Sequence, residues 1–181
     1  MPDFEKSLLK FTIVPKFNPS YQAESLDILL SIEPTNLKAD VTITAVSSYL
    51  TRNTWLSLDS DDWQATDDFG DLPIHRNAQE SNVTREWVFQ HDTFGGGKIP
   101  YEARPLAAKE VSSFQERATD LKYDQGGLIG SGFSFFLIPP GEKIFRLVVE
   151  CDLAAALTGM RAVWNTGECD EPLRKLDRFQ Y

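Results

Sequence analysis

The chain has 181 residues, 41% of them hydrophobic and 25% charged, with no low-complexity tract. It is therefore read as one globular domain spanning 1–181, not as a disordered segment. Lys plus Arg number 18 against 27 for Asp plus Glu, and the net charge of -9 argues against nucleic acid and anionic membrane surfaces as partners.

Taken in chain order, the dominant signal is period-two alternation, the mark of strands with one face on a core. Phe11 and Ile13 alternate with Thr12 until Pro15 ends the run. Leu26, Ile28, Leu30 and Ile32 fall on one side, with Asp27, Ser31 and Glu33 on the other. Val41, Ile43 and Ala45 alternate with Thr42 and Thr44 after the break at Pro34-Thr35-Asn36. Further strands are expected over 72–76, 85–89, 99–103, 133–138, 144–151 and 161–165, with a hairpin-type break at Pro139-Pro140-Gly141. The Gly-rich stretches at 95–97 and 126–132 read as loops within the domain. Helix is scarce: the apolar positions Val111, Phe114 and Leu121 of 109–121 are too sparse for an amphipathic helix, and 152–157 is a short turn with Asp152 as cap and Gly159 as stop. The expected fold is mainly β, an antiparallel β-sandwich with one or two short helices. The tail over 171–181 carries Leu173, Leu176 and Phe179, which would let it pack back onto the body.

Asp3 and Glu5 stand where a signal peptide needs a basic start and an apolar run, so the expected location is cytoplasmic. The longest nearly uncharged apolar run, 133–140, is far short of the roughly 20 residues that span a bilayer. A cytoplasmic protein leaves the sequon Asn82-Val83-Thr84 unused, and Cys151 and Cys169 are expected as reduced thiols.

The motifs that invite chemistry are each incomplete. Asp59, Asp61, Asp62, Asp67, Asp68 and Asp71 suggest calcium, but no central glycine and closing glutamate complete an EF-hand, so they read as solvated turn carboxylates. Gly95-Gly96-Gly97-Lys98 leads into a strand instead of a helix, and Gly130-Ser131-Gly132 does the same, so neither is a phosphate loop or a nucleophile elbow. Only two histidines exist, His75 and His91, followed by Arg76 and Asp92, so no His-Glu-x-x-His zinc motif can be drawn. No metal or other cofactor is expected.

Proton transfer needs less than any of these, namely one positioned imidazole, phenol or carboxylate in a desolvated site. The candidates are His75 after the Leu-Pro-Ile run, His91 after the Arg-Glu-Trp-Val-Phe run, and Tyr101 with Glu102, which must face opposite ways on one strand. Arg104 belongs to the same polar grouping as Tyr101 and Glu102. Aromatic side chains fill a sandwich core or line an apolar cavity, and Trp63, Trp87, Phe133 and Phe135 are the candidates for the second role. Adjacent Phe135 and Phe136 would point to opposite faces of a strand.

The central run Asp-Asp-Phe-Gly-Asp-Leu-Pro-Ile, then Arg-Glu-Trp-Val-Phe, then Gly-Gly-Gly-Lys-Ile-Pro-Tyr-Glu-Ala-Arg-Pro resembles the amino-terminal β domain of the glycyl aminopeptidase-like metallopeptidases (family M-61). Later segments, Val-Val-Glu-Cys-Asp-Leu and Arg-Ala-Val-Trp-Asn-Thr-Gly-Glu, are similar to that domain's last strands. In that family the zinc ligands and catalytic glutamate belong to the following domain, so the resemblance places none of them on a residue here.

Two functions follow as expectations. In the first, the chain is a stand-alone, cofactor-free, non-peptidase protein that binds a small, largely apolar metabolite in an aromatic-lined cavity, and acts as a cyclase or isomerase in biosynthesis. In the second, it is a non-catalytic module that packs on a peptidase-like domain of a separate or missing chain. The sequence leaves a homodimer open.

Overall fold

The computed structural model describes residues 7–33, 43–49, 53–59, 64–77, 84–93, 96–106, 120–141, 145–156, 158–164 and 167–169. Alternation of apolar and polar residues becomes alternation of burial in the first long strand, β1 (Leu8–Phe17), where Leu9, Phe11 and Ile13 are buried while Leu8, Lys10 and Thr12 are half-exposed. The strands that follow are β2 (Ala23–Glu33), β3 (Ala45–Tyr49), β4 (Thr54–Leu56), β5 (Thr66–Asp67), β6 (Gly70–Asp71), β7 (Ile74–Arg76) and β8 (Thr84–Phe89). After them come β9 (Gly97–Pro105), β10 (Lys122–Asp124), β11 (Gly127–Ile129), β12 (Arg146–Cys151), β13 (Ala162–Trp164) and β14 (Gly167–Cys169).

The main sheet runs β12-β1-β2-β9 and continues into β5-β6, with β4 also paired to β9. The second sheet has the order β3-β8-β7, and β10–β11 and β13–β14 are separate antiparallel hairpins. The fold is thus mainly β and antiparallel, with one parallel pairing among the described residues, β1 against β12, from Leu8 opposite Arg146 to Ile13 opposite Cys151. Leu9, Phe11, Ile28, Leu30, Ile99 and Tyr101 of the main sheet share one buried cluster with Val46, Trp87 and Phe89 of the second. That shared cluster is the filling of a sandwich: each sheet is apolar on one face and buries it against the other. Helical structure among the described residues amounts to two single 3-10 turns, Ser57–Asp59 and Gly132–Ser134.

Four local expectations are corrected. Pro15 does not end β1, which continues to Phe17 with Pro15 opposite Leu26. The Ile13 carbonyl accepts the Asp152 N–H on the β12 side, so the missing N–H of Pro15, two residues on, faces that same side beyond the end of β12 and costs no ladder bond. The strand expected over 41–45 begins only at Ala45: Ile43 and Thr44 lie outside it, with the Ile43 N–H donating to the Thr93 hydroxyl, and 41–42 fall outside the described residues. The stretch 126–132 is not all loop, because Gly127–Ile129 pairs with Lys122–Asp124.

The fourth correction matters most for the site: 133–138 is not a strand. A 3-10 turn at Gly132–Ser134 leads to a single bridge between Ile138 and Ser47, and outside a strand nothing forces Phe135 and Phe136 to opposite faces. Both are buried, edge to face at 4.9 Å, and Phe136 stacks on Phe11 at 4.3 Å. The expected turn at 152–157 is observed through Ala156, with the Asp152 carboxylate accepting the Ala154 N–H at 2.9 Å, while the helix considered over 109–121 lies almost wholly outside the described residues.

Candidate functional site

The side of the main sheet turned away from the core collects the polar side chains of β1, β2 and β9 beside Trp55 of β4. Asp27 and Glu102 stand directly opposite each other in the β2–β9 pairing, between core residues Leu26 and Ile28 on one strand and Tyr101 and Ala103 on the other. Two like charges so placed repel. Lys16 offsets this: its ammonium lies 2.8 Å from the Asp27 carboxylate, and the negative charges of Asp27 and Glu102 both favour its charged form. Its pKa is raised above the ordinary lysine value, chiefly by the hydrogen bond to Asp27; loss of hydration opposes this, and the charges of Asp27 and Glu102 add to the rise. Beside them, β4 brings Trp55 opposite Arg104, whose guanidinium sits 4.7 Å from the ring centroid. The Ser57 hydroxyl accepts the Glu102 N–H at 2.8 Å, which ties the 3-10 turn after β4 to β9. Farther along the same face, Lys10 pairs with Glu150 at 2.9 Å, across the parallel strands.

The sequence candidates separate into two groups. Tyr101, Trp87 and Phe135 are together, but inside the core: all three are at most 5% exposed. The Tyr101 hydroxyl donates to the Phe135 carbonyl at 2.7 Å, and burial pushes its pKa well above the ordinary phenol value, a backbone hydrogen bond at Leu137 pulling the other way. The Trp87 indole N–H donates to the Leu58 carbonyl at 3.0 Å. His75 and His91 are exposed, as is Phe133, while Glu102 is half-buried on the outer face; Trp63 lies outside the described residues.

His91 has a defined setting. A carbonyl can only accept, so the contact of Nδ1 with the Asp92 carbonyl at 3.0 Å places a proton on Nδ1. The Asp67 carboxylate lies 3.8 Å from the same nitrogen. Asp67 is not the solvated carboxylate expected: its side chain has no exposed surface, and it accepts the Phe69 N–H at 2.8 Å to close the β5–β6 turn. Asp68 reaches the Gly96 N–H at 3.2 Å. Among the described residues, no three His, Cys, Asp or Glu side chains converge in a way that would hold a metal ion, and no helix is long and apolar enough to cross a membrane.

Sequence reading singled out Glu102 and Arg104 but missed Lys16, Asp27 and Trp55. The first two had a signal: the Asn18 side chain accepts the Ser20 and Gln22 N–H groups in a tight β1–β2 turn, and counting outward from it sets Lys16 near Asp27. Trp55 had none, since its contact with Arg104 depends on a pairing between distant segments.

No protein-family profile matches the chain. No curated protein matches it either. Among solved structures it is similar to a mutant M1 zinc metallopeptidase from Deinococcus radiodurans bound to a Tyr-Ser-Ala substrate, with 10% identity and a TM-score of 0.39. The match covers 91% of this chain, which spans only 37% of the length of that one.

Proposed function

We propose that this chain is a non-catalytic β module that packs against a peptidase-like domain through the outer face of its main sheet. The observation that carries the proposal is the grouping of Trp55, Arg104, Glu102, Lys16 and Asp27 on one side of β1, β2, β4 and β9. Tryptophan and arginine are the residue types enriched at the energetic centres of protein interfaces, and a sheet face offers them to a surface rather than enclosing a small molecule. The class of partner rests on the resemblance of the central run to the amino-terminal domain of family M-61. The stand-alone cyclase or isomerase reading draws its polar group from His75, His91, Tyr101 or Glu102 beside aromatic rings; His75 and His91 are exposed, Glu102 is on the outer face, and Trp87, Tyr101 and Phe135 are built into the core.

The test is to mix the purified chain with a separately expressed zinc-peptidase domain of that family from the same genome, and to follow association by light scattering and calorimetry. A one-to-one complex is expected, weakened about thirtyfold or more by Trp55→Ala or Arg104→Glu, in the range of a truncated interface anchor. No complex, or a complex indifferent to both substitutions in variants with unchanged circular dichroism, would overturn the proposal.

A further inference from the structure

We draw no further inference here: the strongest candidate, the exposed tyrosines Tyr21 and Tyr123 where the β1–β2 turn meets the β10–β11 hairpin, is a surface for which nothing in the structure shows what covers it.

Discussion

Tyr101 sets a phenol inside an apolar core and satisfies it with the Phe135 carbonyl. Because burial raises its folded-state pKa well above that of an ordinary phenol, its contribution to stability is complete while both folded and unfolded chains hold the proton. It is lost progressively as pH rises past the unfolded value towards the folded one. Denaturant titrations at increasing pH should therefore show an alkaline loss of stability that Tyr101→Phe diminishes. At neutral pH the same variant should be about 1–3 kcal/mol less stable, since it leaves the Phe135 carbonyl buried without its donor. At the exposed end of the scale, Lys16 is held in its charged form chiefly by Asp27. Asp27→Asn should lower the Lys16 titration midpoint towards the ordinary lysine value, as followed by NMR of the side-chain ammonium; an unchanged midpoint would mean that the Asp27 contact does not govern it.

Among the elements, β2, β8 and β9 were legible because each has one face on the core and one off it, so burial repeats the period of the sequence. The region 133–138 was not: an apolar run broken only by Ser134 has no clear period, and it folds as a 3-10 turn over Gly132–Ser134 followed by Phe135 and Phe136, both buried, while Phe133 stays exposed. The short strands β4, β5 and β6 were missed for another reason. With two or three residues each they carry no period of their own: β4 and β5 pair with distant β9, β6 pairs only with β5, and the Trp55–Arg104 contact was hidden with them. The half of the site that could be read, Glu102 and Arg104, lay on a long alternating strand. Close packing beside the β10–β11 hairpin gives a test at this scale. A Cβ on Gly130 would sit 2.9 Å from the Leu121 Cα and 3.2 Å from the Asp120 carbonyl, whereas one on Gly127 would meet only the Asp124 carbonyl at 3.5 Å. Gly130→Ala should cost about 1–3 kcal/mol in chemical denaturation, and Gly127→Ala should stay within about 0.5 kcal/mol of the parent. Equal effects would show that backbone crowding at Gly130 is relieved more cheaply than its neighbours suggest.

For the molecule as a whole, stability comes from two sheets closing on a shared apolar filling, and no convergent metal-ligand set is found among the described residues. Treatment with a zinc chelator should leave the melting temperature unchanged, and elemental analysis of the purified chain should find no stoichiometric zinc; a chelator-dependent fall would mean a structural metal. The parallel pairing of β1 with β12 also has a temporal side. Strand 8–17 can form its hairpin with 23–33 early in synthesis, but its other edge finds its partner only when 146–151 has been made. At about 5–20 residues per second, the ribosome leaves that edge open for on the order of ten seconds. During that interval the nascent hairpin displays a row of unclaimed amide and carbonyl groups beside Leu9, Phe11 and Ile13, an edge that a chaperone would shield.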